Sequence, residues 1–244
     1  LHLSLRRQRQ MCIRDRSKEI MVKTGWAPNA LRAPILPSNI LRGIRGAAVL
    51  NASERKRFLN NFGKKVNVKR EDKGVDWIKA VALGAFREIG RSCLLVQTNR
   101  ERILIDFGMN IDTTDPGRAY PYIDSVGLAI EDIDAVVISH AHTDHSGFLP
   151  YLFKLGYDGP VFATPPTRDI MTLIQFDLIK VSRMTGRDAP YDESDVRKAA
   201  AHVITRGYNE VTDITPHIKM TLRNAGHILG SATVHLHIDN GKYN

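Results

Sequence analysis

Ala135-Val136-Val137-Ile138-Ser139-His140-Ala141-His142-Thr143-Asp144-His145 passes from four apolar residues to four metal-capable side chains within six positions. The wholly apolar run predicts a short strand buried on both faces, the pattern of a parallel sheet. After it the spacing predicts an apolar helix from about His145 to Leu155, stopped by Gly156. A turn held between a strand and a helix keeps its side chains in fixed directions. Imidazole and carboxylate are zinc ligands. His140 and His142 can therefore face one ion, and Asp144 and His145, at the helix start, a second. An ordinary polar loop would not be bracketed by an apolar strand and an apolar helix.

Working outward, Gly226-His227-Ile228-Leu229-Gly230-Ser231-Ala232 lies between two strand patterns. Two glycines free the backbone of a tight loop, so that one histidine can project from it. A lone loop histidine is usually a surface residue. Here the first cluster needs a third imidazole, and His227 is the best placed. Asp106 ends the Ile103-Leu104-Ile105 strand. It either orients a ligand histidine through the second ring nitrogen or serves as a turn former. His202, His217, His235 and His237 fall in helix or strand patterns and are read as structural.

Further strands are expected at Trp77–Leu83, Cys93–Val96, Ile103–Ile105, Val161–Ala163, near Val211, at Ile218–Leu222 and at Ala232–Ile238. The second and third of these form a hairpin through Asn99-Arg100. Helices are expected from about Pro166 to Met184 and from Asp192 to Ile204, and helical spacing also runs from Ser38 to Leu59, broken near Asn51–Ser53, where Ser53 caps a second piece. Strands interleaved with helices make an α/β layered domain. Gly43-Ile44-Arg45-Gly46 fits the GxxG pattern of a KH loop, but its helical neighbourhood argues against that reading.

The 244 residues carry a net charge of +9, unevenly placed. Residues 1–80 hold 19 basic and 6 acidic residues, and the remainder 16 and 20. A basic arm on an acidic body points to a polyanionic partner. The charged run 64–73 marks the expected edge of the folded body, and Pro28, Pro34 and Pro37 lie in linker before it. Nothing approaches the run of about 20 apolar residues that a membrane span needs. Two cysteines, Cys12 and Cys93, make no disulfide framework, so a reducing cytoplasm is the expected location. Residues 1–17 read as a non-native leader, since 1–16 resemble translated sequencing-adapter read-through.

HxHxDH after an apolar strand, with a later GHxxGSA, resembles the nucleic-acid-processing branch of the metallo-β-lactamase superfamily. The stretch Gly84-Ala85-Phe86-Arg87-Glu88-Ile89-Gly90-Arg91-Ser92-Cys93 narrows this. It is similar to the start of the cleavage-and-polyadenylation-specificity-factor-like ribonucleases of the β-CASP group, and Ile20–Val66 resembles their archaeal members, which carry KH-type RNA-binding domains ahead of the nuclease. The resemblance implies a partial αββα sandwich at 75–244, preceded at 18–74 by the end of a KH-type region and a basic linker. It implies two zinc ions, one on His140, His142 and His227, the other on Asp144 and His145, with Asp144 and His145 as the catalytic pair and Asp106 behind the ligands. RNA is the implied substrate, cut endonucleolytically, with 5′→3′ trimming, in RNA 3′-end processing and transcription termination. RNA polymerase contact and a homodimer of the full-length protein are implied as well. A small-molecule hydrolase of the same fold and a non-catalytic RNA-binding subunit are the competing readings. In the family a bridging aspartate, the β-CASP domain and a further histidine come after the last strand. The chain ends at Asn244 before them, so a fragment incomplete for catalysis is expected.

Overall fold

The computed structural model describes residues 46, 52–68, 74–113 and 115–244, all within the compact unit Gly43–Asn244. The leader reading for 1–17 and most of the GxxG run lie outside the described residues; Gly46, its last member, is helical.

The first sheet has six strands: β1 (Ile78–Gly84), β2 (Cys93–Thr98), β3 (Arg102–Ile105), β4 (Ala135–Val137), β5 (Val161–Ala163) and β6 (Val203–Thr205), side by side in that order. The β1–β2–β3 pairings are antiparallel, and β3 through β6 run parallel. The hairpin turn at Asn99-Arg100 is closed by Thr98 N–H on the Glu101 carbonyl at 2.8 Å and by Arg100 N–H on Thr98 Oγ1 at 3.0 Å. The second sheet, β7 (Val211–Asp213), β8 (Ile218–Asn224) and β9 (Ala232–Ile238), is antiparallel.

Alternation in β4 explains the layering. Ala135 and Val137 face one way, into a core shared with Phe162, Ile218, Met220 and Leu222 of the second sheet. Val136 and Ile138 face the other way, against Leu149, Leu152 and Met171 of the helices. All four residues are fully buried, as a strand between two covered faces must be. Helix, sheet and sheet are three layers of an αββα sandwich, and the chain has the mixed α/β metallo-β-lactamase-type fold expected for it.

The helices differ from expectation in four places. The single helix expected over His145–Leu155 is two: α2 (Thr143–Ser146) and α3 (Leu149–Lys154). Pro150 has no N–H to give the Ser146 carbonyl four residues back, so the ladder breaks there. Gln175 Nε2 takes the Ser146 carbonyl at 2.9 Å, and the Tyr191 hydroxyl takes that of Gly147 at 2.8 Å. α4 (Pro165–Met184) starts one residue early, capped by Thr164. α5 (Glu193–His202), opened by an Asp192–Asp195 capping box, ends before the β-branched Val203-Ile204-Thr205, which becomes β6. The helix α1 (Ala52–Val66) runs past Leu59 into the charged stretch. Its Phe58 ring lies 4.1 Å from that of His202, Phe62 meets Phe162 edge-on at 5.8 Å, and Arg55 donates to the Val203 carbonyl at 3.1 Å. No described helix is long and apolar enough to cross a membrane.

Candidate metal centre

The site stands beyond the C-terminal ends of the parallel strands β3 and β4. Two hydrogen bonds define its floor. Asp106 N–H extends the ladder to the Val137 carbonyl at 2.8 Å. Ala232 N–H, at the start of β9, reaches the Ser139 carbonyl at 2.9 Å, which draws the His227 loop over the His140 turn. His142 sits at the N-cap of α2, so Asp144 and His145 project from its first turn.

His140, His142 and His227 converge, with one nitrogen of each ring within 4.8 Å of the others. His140 Nε2 lies 3.2 Å from His142 Nδ1, and His227 Nε2 also lies 3.2 Å from His142 Nδ1. Tetrahedral zinc with Zn–N bonds of about 2.0–2.1 Å places neighbouring nitrogens about 3.3–3.4 Å apart, so the cluster fits such an ion. His145 stacks beside His140 with ring centroids 4.0 Å apart, and its Nε2 lies 3.7 Å from Asp144 Oδ2. These two atoms form a second, more open ligand pair next to the first cluster.

Ring protonation favours a cation. Burial, reinforced by the neighbouring His145, His142 and His227, pulls His140 down to about 3. Burial also lowers His142, against the opposing pull of Asp144. Both rings are therefore neutral near pH 7 and offer lone pairs. Burial would depress His145 too, but the Asp106 hydrogen bond and the charges of Asp106 and Asp144 outweigh it and raise its pKa.

Asp106 occupies left-handed backbone at φ 61, unusual outside glycine. Three contacts hold it there: its carboxylate accepts from Ser139 N–H at 2.7 Å, from Ser139 Oγ at 2.8 Å and from His145 Nδ1 at 2.7 Å. Ser139 Oγ is also 3.0 Å from His140 Nδ1. With Nδ1 of both histidines engaged on this network, Nε2 of each is left for a metal.

The His227 loop is pinned at both ends. Ser231 Oγ accepts from His227 N–H at 3.1 Å and Ile228 N–H at 3.2 Å. Thr164 and Thr167, at the start of α4, donate to the Gly230 carbonyl at 2.6 and 2.9 Å. Gly230 has φ +86, and a Cβ there would press on Thr164 and the backbone of Thr167.

The metallo-β-lactamase superfamily model matches residues 87–161. Curated relatives extend the match over most of the chain. The transcription termination factor FttA of Methanothermobacter thermautotrophicus is 48% identical over 228 residues, covering 93% of this chain and 36% of that protein. FttA of Methanocaldococcus jannaschii is 45% identical over 90% of this chain and 34% of its own length. The Thermococcus kodakarensis FttA is 46% identical over 92% and 36%. The chain is similar to these archaeal proteins over most of its own length. It spans about a third of their length. These similarities agree with the family resemblance drawn from HxHxDH and GHxxGSA.

All six side chains singled out in the sequence lie at this one site. Four further residues support the site without a motif to mark them: Ser139, Ser231, Thr164 and Thr167. Ser139 was visible as a lone hydroxyl between a buried strand and the first histidine. The threonines carried no local signal, because their contact with Gly230 spans more than 60 residues. Elsewhere, His235 and His237 lie side by side on β9 with rings 4.2 Å apart, the latter 3.4 Å from Thr221 Oγ1. His202 Nδ1 meets the Gly159 carbonyl, and His217 pairs with Glu101.

Proposed function

We propose that the full-length protein is a zinc-dependent ribonuclease that cuts RNA phosphodiester bonds in 3′-end processing and transcription termination, by endonucleolytic cleavage with 5′→3′ trimming. The observation that carries this reading is the convergence of three imidazole nitrogens beside the Asp144–His145 pair. Similarity to proteins named transcription termination factors favours RNA as the substrate. His140 Nε2, His142 Nδ1 and His227 Nε2 hold one zinc, and Asp144 and His145 serve the second. When bound, the ions activate water and neutralise charge on the phosphate. Asp144 would help to orient the attacking water through its carboxylate. Asp106 keeps the His145 proton on Nδ1, and through Ser139 does the same for His140. Neither histidine then acts as a free acid.

In this reading residues 75–244 form the N-terminal portion of the nuclease domain, and 18–74 the end of a KH-type RNA-binding region with its basic linker. α1, at the end of that region, is seated on the nuclease body through Phe58 and Arg55. RNA, RNA polymerase and a second copy of the full-length protein are the proposed partners. The test is cleavage of end-labelled single-stranded RNA by the full-length protein, with and without chelator, beside His142→Ala. Cleavage that zinc restores and the substitution abolishes is expected. Bound zinc without cleavage would move the function to a small-molecule hydrolase or a binding subunit.

A further inference from the structure

The β1–β2 loop, Ala85–Ser92, is the motif that the metal centre leaves unexplained. Three of its non-glycine residues hold left-handed backbone: Ala85 at φ 68, Arg87 at φ 67 and Arg91 at φ 46. Each is strained, and such residues persist only where their surroundings fix them. The surroundings here are explicit. Arg91 is buried, donates to Glu88 and to the Tyr120 carbonyl, and lies 3.9 Å above the Tyr122 ring. Arg118 donates to the other oxygen of Glu88. Gly90 is packed on Asn110 so closely that a Cβ would overlap it. The loop rejoins the site at Ser92, whose N–H donates to the Asp144 carbonyl at 2.7 Å.

A loop fixed this firmly nevertheless keeps its apolar side chains in water. Phe86 is 65% exposed and Ile89 61% exposed, while the charged Arg91 is inside. That inverts the usual placement, in which an aromatic is buried and an arginine is not. Two of the three strained residues, Ala85 and Arg87, flank Phe86 directly, so the strain fixes the backbone from which its ring projects.

We infer that Phe86 is a stacking platform for a base of the RNA substrate beside the scissile bond. This rests on the ribonuclease reading above and deepens it. A flat apolar face beside a cation matches a nucleobase and its phosphate. Arg87 is exposed next to Phe86, and Glu88, the loop's one carboxylate, is taken by two guanidiniums, which removes a source of repulsion for a phosphate. Stacking tolerates any base, so the platform would hold RNA in register at the metal centre without reading its sequence.

The experiment uses the full-length zinc-loaded protein and single-stranded oligoribonucleotides, one intact and a set each with one abasic position near the mapped cut. Phe86→Ala raises KM for the intact RNA between about 5- and 150-fold, the range for loss of one base–aromatic stack, and the loss falls on KM and not on kcat. Phe86→Trp restores KM and Phe86→Leu does not. On one abasic RNA the wild type and Phe86→Ala become equal. An unchanged KM in Phe86→Ala overturns the inference. So does rescue by leucine, which would mark plain apolar packing against the rest of the protein, and so does a loss that persists on every abasic RNA. If the wild type leaves RNA uncut, the ribonuclease reading fails by itself. Quenching of a 2-aminopurine RNA by the wild type and not by Phe86→Ala then decides the platform separately.

Discussion

Asp106 spends one carboxylate on two histidines, reaching His145 directly and His140 through Ser139. In the proposed site those rings belong to different ions, so Asp106→Asn should weaken both. Loss of a partner behind a metal ligand costs about 10- to 100-fold in affinity. Competition with a chromophoric chelator reads this, and the expected drop is in that range. The same pair gives the metal-free protein a pH dependence. His145 is raised above its ordinary 6.5, so its pairing stabilises the fold fully below that value and loses the contribution as pH climbs through the raised pKa. Denaturant melts of the chelated wild type and Asp106→Asn should therefore differ more at about pH 6 than at about pH 8.5. An equal gap at both would show that the pair does not titrate in this window. At this scale the sequence announced its imidazoles through spacing alone, and Asp106 only as one of two options. The left-handed turn that aims Asp106 depends on the Val137 carbonyl and on Ser139, which lie 31 and 33 positions ahead in the chain.

Among the elements, the His227 loop shows how a distant helix sets a ligand. Gly230 at φ +86 rests against Thr164 and the backbone of Thr167. Gly230→Ala adds both strain and overlap, and overpacking of this kind costs about 1–3 kcal/mol. The loop should shift off α4, and zinc affinity should fall along with the melting temperature. Thr164→Ser, which keeps the hydroxyl, should leave both near wild type, whereas Thr164→Ala should lower both. Periodicity located the α3 and α4 segments but not their ends. The break at Gly147-Phe148 follows from Pro150, a residue visible in the sequence whose effect on the Ser146 carbonyl needs Gln175 across the fold. The helical reading takes in Val203 and Ile204, the first two residues of β6, because they continue an apolar pattern. Pairing with β5 overrides that tendency.

At the level of the whole molecule, α1 packs on the layered body through Phe58, Phe62 and Arg55. The amphipathic face of Phe58 and Phe62 carries the helix into the first residues of the charged run, as far as Val66. Phe58→Ala removes a buried ring packed on His202 and should cost about 3–5 kcal/mol. Hydrogen exchange should show α1 opening while β3, β4 and β5 stay protected. The α/β layering itself was legible because β4 is apolar on both faces and β9 alternates. The stacking of the second sheet on the first was not, since contacts such as Ile218 and Met220 against Val137 and Phe162 join segments far apart in sequence.

The three-histidine cluster is the centre of the proposed site, and a cobalt(II) titration of the 244-residue chain, followed by visible absorption, tests it without reference to RNA. One ion should bind with a tetrahedral spectrum, be displaced by zinc, and be lost in His142→Ala and in His227→Ala alike. Binding that survives His227→Ala unchanged would contradict the account, because the loop from β8 to β9 would then supply no ligand.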